Sequence, residues 1–226
     1  MNRHERRAAA AQRPSAKLDP IVAIHEAGHA VARVLTAGDM GYSVEQSVAC
    51  IEVGMFDSAA ANGKVQLYSQ AVTSGPMFSA EILAAFKQAN TDKPPGTEFG
   101  AEEIADVVEF ARQEGADIAS WLRSRMLIMV FGSAAEASYT GRSIIDVWNS
   151  YESSNDFRDA EKDGRRARLS RVELESFVDE ALHRSAYLLD QPHIKLAISK
   201  LANALPASGK FSGKSASQIV SRALSS

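Results

Sequence analysis

The segment His25-Glu26-Ala27-Gly28-His29 sets two imidazoles four residues apart with a carboxylate between them. In a helix of 3.6 residues per turn, His25 and His29 stand one turn apart on the same face. Both rings can then meet one Zn²⁺ at about 2.0–2.1 Å per bond. Glu26, on the adjoining edge, is placed to take a proton from metal-bound water rather than to ligate. Zinc lowers the pKa of bound water to about 7 and polarises a carbonyl, so the chemistry implied is hydrolysis. Ni²⁺ or Co²⁺ suits the same ligands, with zinc the leading ion.

Two histidines need a third protein ligand, and several residues qualify. An extended metzincin motif would place Gly at 32 and His at 35, where the chain has Ala32 and Leu35, so that class is excluded. Glu136 would serve in an E-x-x-x-D helix, but position 140 is Thr. His183, His193 and Asp156 are further candidates, the last within Ser153-Ser154-Asn155-Asp156-Phe157.

The motif works only on a helix, and the chain supplies one. Asp19-Pro20 reads as an N-cap followed by Pro at the first helical position. Ile21, Ile24, Gly28, Val31 and Leu35 recur at helical spacing, and Gly38 reads as a stop, which predicts a helix over 20–37. Segments 47–54 and 63–69 are rich in β-branched residues with an Asn62-Gly63 turn signal between them, predicting two strands of a small sheet. A helix is expected near 79–89 and a loop at Pro94-Pro95-Gly96. Residues 98–117 hold seven acids against Arg112 and an apolar stripe of Ile104, Val107, Val108 and Ala111, which reads as an acidic amphipathic helix. Its charged face is either simply solvated or a dock for a basic partner.

Residues 119–139 are nearly all apolar, so this helix must be central. Gly132, Ala134 and Ala135 would let another helix approach closely. A polar loop is expected over 140–153, then a helix from Asn155-Asp156, further helices over 172–189 and 191–205, and a short one over 216–223. The fold class predicted is mainly α with a small β-sheet, the metal-binding helix packed in a helical bundle.

Composition narrows the setting. A chain of 226 residues suits one good-sized domain on the prior of about 100–200 residues each. An apolar share of 45% suffices for a core without cross-links, and a net charge of −3 gives no global basic field for nucleic acid. Residues 1–17 are basic, with Arg3, Arg6, Arg7, Arg13 and Lys17 against Glu5, and read as a disordered tail ahead of an 18–226 domain. The longest apolar run, Met126 to Phe131, is too short for a transmembrane segment, and no apolar leader opens the chain. The lone Cys50 excludes an internal disulfide and an all-cysteine zinc site, and a cytoplasmic location is expected.

The motifs together resemble the peptidase domain of the FtsH-type ATP-dependent zinc metalloproteases. That family pairs HEAGH-A with a downstream G-x-x-A-E-E-x-x-x-G helix and an S-N-D-[LI/F]-x-x-A segment. This chain has His25-Glu26-Ala27-Gly28-His29-Ala30, then Gly132-Ser133-Ala134-Ala135-Glu136-Ala137 through Gly141, then Ser154-Asn155-Asp156-Phe157-Arg158-Asp159-Ala160, in the family's order. The stretch from Glu180 to Val220, with its helix through Leu201-Ala202-Asn203 and a Phe211-Ser212-Gly213 turn, is also similar. The resemblance covers 18–72 and 119–223. It implies a zincin-like fold, Zn²⁺ held by His25, His29 and Asp156, and Glu26 as general base. It also makes Glu136 and Asn155 site-adjacent, Glu136 as a carboxylate that orients a ligand.

The departures shape the functional expectation. The family's second Glu is Ala137, and 127 positions separate His29 from Asp156, the surplus falling in an insertion at 73–118. No G-x-x-x-x-G-K-[ST] loop is present, so the chain has no ATP site of that kind. The expected enzyme is an ATP-independent zinc metalloendopeptidase cutting flexible or unfolded protein or peptide substrates. Glu26 deprotonates the zinc-bound water, which attacks the carbonyl, and then protonates the leaving amine. Tyr139, Tyr151 and Arg158 are candidate oxyanion donors. One alternative has a separate ATPase or adaptor feed the peptidase; another keeps the fold as a non-catalytic zinc-stabilised binding module. Family peptidase domains form rings, so a homo-oligomer is among the assemblies the resemblance allows.

Overall fold

A computed structural model describes residues 18–59, 65–89, 99–150 and 154–226. The basic tail, the Asn62-Gly63 turn, the Pro94-Pro95-Gly96 loop and Tyr151 lie outside these residues. The first helix, α1 (Pro20–Leu35), starts as its sequence dictates, with the Asp19 carboxylate accepting from the Ile21 amide at 2.8 Å and Pro20 in the first turn. It ends two residues before the expected limit. Thr36 turns its hydroxyl back onto the Ala32 carbonyl at 2.9 Å, and the left-handed residue in the following turn is Gly41, not Gly38.

A short helix α2 (Val44–Ser47) leads into β1 (Cys50–Ala59), which pairs antiparallel with β2 (Val65–Ser74) from Cys50↔Ser74 to Ala59↔Val65. Then come α3 (Ala80–Ala89), α4 (Ala101–Gln113), the long α5 (Ile118–Thr140), the short α6 (Ile144–Trp148) and α7 (Ser154–Arg166). The chain finishes with α8 (Arg171–Leu189), α9 (Pro192–Ala204), β3 (Gly209–Ser212) and α10 (Gly213–Leu224). The protein is thus mainly helical, with a three-stranded antiparallel sheet of order β2-β1-β3.

Three local expectations are corrected. The Phe211-Ser212-Gly213 turn is instead the end of β3 and the start of α10, because β1 offers a second edge on which Phe211 pairs opposite Ile51. Gly213 is required there: a Cβ would stand 1.9 Å from the Val48 carbonyl oxygen. The polar 140–153 segment contains α6, and both main strands run longer than predicted.

Helix α5 is the axis of the molecule. Asp117 caps it by accepting from the Ser120 amide at 2.9 Å, and Gly141, at φ 71°, closes it in the left-handed conformation that glycine tolerates. Its C-terminal half joins α1, β1, α9 and α10 around Val31, Ile51, Phe131, Leu201 and Val220. Its N-terminal half joins α3, α4 and α8 around Ile82, Val108, Trp121 and Met126. Helices α3 and α4, from the 73–118 segment, therefore supply core, while Glu102, Glu103, Asp106 and Glu114 stay exposed. Apolar as α5 is, among the described residues no helix is long and apolar enough to cross a membrane.

Candidate metal centre

Helix α1 crosses α5 where both lack side chains. A Cβ on Gly28 would lie 2.7 Å from the Phe131 carbonyl oxygen and 2.8 Å from the Ala135 Cβ. The close approach presses the face bearing His25 and His29 against Gly132 and brings the imidazoles within reach of α5 and the start of α7.

Each imidazole is fixed through Nδ1. His29 Nδ1 lies 2.6 Å from the Ile128 carbonyl oxygen, and His25 Nδ1 lies 3.3 Å from Glu136 Oε2. A carbonyl and a carboxylate only accept, so Nδ1 carries the proton in both neutral rings and each Nε2 presents a lone pair. Those two Nε2 atoms are 3.0 Å apart. Asp156 Oδ2 completes a triangle, 3.2 Å from His25 Nε2 and 3.4 Å from His29 Nε2. With both rings neutral, three acceptor atoms converge without a donor and repel one another, and either a proton on His25 Nε2 or a shared metal ion relieves them. Tetrahedral coordination with bonds of about 2.0–2.1 Å sets ligand atoms about 3.3 Å apart, the scale of this triangle. The donor set of two imidazoles and a carboxylate therefore fits a divalent metal, and His25, His29 and Asp156 form a group that could hold one.

The electrostatics state the same demand. Burial pushes the His25 imidazole down, but hydrogen bonds to Asp156 and Glu136 and the charges of Asp156 and Glu26 outweigh it, carrying the group up to about 10. Burial works to raise the Asp156 carboxyl, yet the charges of and hydrogen bonds to His29 and His25 hold it well below the usual carboxylate range. The cluster stabilises added positive charge.

Glu26 is buried beside the triangle, and its Oε2 accepts from the Thr73 backbone amide at 2.6 Å. Thr73 sits in β2, the edge strand, where an amide is free to point away from β1. The Thr73 hydroxyl adds a bond to the Glu26 carbonyl at 2.9 Å, tying the strand to α1. One carboxylate oxygen of Glu26 is thereby anchored, and the residue lines the same cleft as the triangle, a space of about 840 Å³.

The other sequence candidates are placed as follows. Glu136 is buried on the Nδ1 side of His25, away from the converging Nε2 atoms, with Arg142 Nη1 3.5 Å from its second oxygen. Asn155 lines the cleft and accepts from Arg158. Tyr139 and Arg158 are exposed, and neither lines the cleft. His183 and His193 lie exposed on α8 and α9. Sequence reasoning missed Thr73, which holds the Glu26 carboxylate through its backbone amide, a group with no sequence signature. It also missed Arg33, whose signal was present, since Arg33 follows His29 by four residues and so shares the helix face of His25 and His29. Arg125, in the middle of apolar α5, was legible in the same way.

No protein-family profile matches the chain, and no curated protein matches it significantly.

Proposed function

We propose that the chain is an ATP-independent zinc metallopeptidase that hydrolyses peptide bonds in flexible or unfolded protein. The observation that carries this reading is the convergence of His25 Nε2, His29 Nε2 and Asp156 Oδ2 beside an anchored Glu26 in one open cleft. A purely structural zinc site closes with a fourth protein ligand, whereas a catalytic one keeps three and leaves a position for water or substrate. Among the described residues, this group has three.

When bound, zinc would supply Lewis acidity, lowering the pKa of water and polarising a carbonyl. The chain's own residues do the rest. Ile128 and Glu136 fix the two imidazoles through Nδ1, leaving each Nε2 free to hold the metal that would bind there. The Thr73 amide holds one oxygen of Glu26, which leaves the other to accept a proton from water and return it to the departing amine. The cleft is of the size that admits a short extended segment. This supports flexible chain as substrate and is compatible with delivery by a separate ATPase or adaptor. The resemblance to FtsH-type peptidase domains, carried by the three motifs, points the same way. A reducing cytoplasm suits the free Cys50.

The test pairs two readouts on wild type, His25→Ala and Glu26→Gln: bound zinc, and cleavage of a reduced, alkylated protein. Glu26→Gln is expected to keep the metal and lose cleavage, and His25→Ala to lose both. Stoichiometric zinc in a wild type that cleaves no unfolded substrate would overturn the peptidase reading in favour of a binding module.

A further inference from the structure

Helix α1 carries a third polar residue on its metal-binding face. Arg33 follows His29 by one turn, about 6 Å further along the axis. It is 8% exposed, donates from Nη1 to the Pro76 carbonyl at 3.1 Å, and its buried Nε has no partner among the described residues. Across the cleft, Arg125 is also buried, and its Nε donates to Asp163 Oδ2 at 2.7 Å. The other oxygen of Asp163 accepts from Arg166 Nη1 at 2.6 Å. One fully buried carboxylate thus serves two guanidinium groups, and Arg33 has no carboxylate partner among the described residues. Burial and then the charge of Arg125 pull the Arg33 guanidinium down to about 9, against a smaller opposing pull from Glu26 and Asp163. A buried cation cluster short of an anion is costly unless something supplies one.

Arg33 and Arg125 line the same cleft as His25, Glu26, His29 and Asp156. We propose that they form an anion-binding subsite for a carboxylate of the substrate, held within about two residues of the scissile bond. The spacing follows from the chain's reach, since extended peptide advances about 3.3–3.6 Å per residue. Guanidinium groups match a carboxylate through paired N–H donors, and the enclosed site strengthens the bonds. The carboxylate belongs either to an Asp or Glu side chain or to the free C-terminus of the peptide. This inference rests on the peptidase reading and specifies its substrate class.

Two measurements test it. In the first, wild type and Arg33→Gln digest a degenerate peptide mixture prepared with free and with amidated C-termini, and the cleaved bonds are read by mass spectrometry. The wild type should favour bonds beside Asp or Glu over Asn or Gln by about tenfold, the size of one charge-assisted hydrogen bond. If the occupant is the chain terminus, amidation should instead suppress cleavage near it by a similar factor. In either case Arg33→Gln should bring the ratio close to one, and Arg33→Lys should restore it in part. In the second, zinc-loaded Glu26→Gln protein, with or without Arg33→Gln, is titrated calorimetrically with a Glu-containing amidated peptide, its Gln counterpart and the Gln peptide with a free C-terminus. A carboxylate advantage that disappears with Arg33 supports the subsite even if no hydrolysis is found. Equal binding and cleavage of all three peptides by protein retaining Arg33 would overturn it while leaving the peptidase reading standing.

Discussion

Gly132 on α5 lies directly beneath His29: a Cβ built on it would stand 2.5 Å from His29 Nε2 and 2.9 Å from His25 Nε2. In a helix interior Ala normally exceeds Gly by about 1 kcal/mol, so the glycine is retained against local propensity. Gly132→Ala should push both ligand rings aside. We expect a loss of about 1–3 kcal/mol of stability from overpacking. Zinc affinity should fall by on the order of 10–100-fold, as when a group orienting a ligand is lost. Thermal unfolding without metal and competition against a chromophoric chelator read the two effects. Unchanged affinity would show that the rings do not need the close α1–α5 crossing.

Glu136 and His25 form the second relationship at the site, at 3.3 Å between Oε2 and Nδ1. Glu136→Gln leaves an amide oxygen able to accept from Nδ1 but removes the charge that raises ligand basicity. Glu136→Ala removes both. Zinc affinity should fall by up to about tenfold in the first and about 10–100-fold in the second. Equilibrium dialysis against a graded zinc buffer gives the order. Equal affinities in wild type and both variants would make Glu136 a packing residue only.

The sequence carried most of the helical architecture because its signals were local. Asp19-Pro20 announced α1, and the apolar run from Trp121 to Ala137 could only be central. The triangle itself required distant segments: Asp156 is 127 positions from His29, and its preference over the other candidate ligands rests on the Ser154-Asn155-Asp156 resemblance rather than on helix geometry. Strand β3 was illegible because Gly209 to Ser212 is too short for an alternating pattern and is a strand only by pairing with β1. The Thr73 amide that anchors Glu26 was illegible for a different reason: a backbone donor is the same at every non-proline residue.

Asp163 is fully buried between Arg125 and Arg166. Removing it with Asp163→Ala would leave the buried Arg125 of α5 and the partly buried Arg166 of α7 without their carboxylate, with Arg33 close enough to repel Arg125. Breaking a buried pair this way costs about 3–5 kcal/mol. Urea unfolding should show that loss as a lower midpoint at similar slope. By comparison, Arg171→Ala breaks an exposed pair with Glu175 and should change stability by less than about 1 kcal/mol.

The pH dependence of metal binding follows from His25. Without metal its pKa lies near 10, above the unfolded value of 6.5. Its protonated form therefore stabilises the metal-free fold fully below pH 6.5, and that contribution fades as pH rises through about 10. A metal needs the same Nε2 unprotonated, so proton and metal compete. Asp156, held well below the usual range, is already ionised and releases nothing near neutrality. Zinc binding at pH 7.5 should release about one proton from the protein, and apparent affinity should rise about tenfold per pH unit between 7 and 9 after correction for zinc hydrolysis. Calorimetry in buffers of different ionisation enthalpy counts the proton directly. A count near zero would mean that His25 is already neutral before the metal arrives, and the converging lone pairs would then be held together by packing alone.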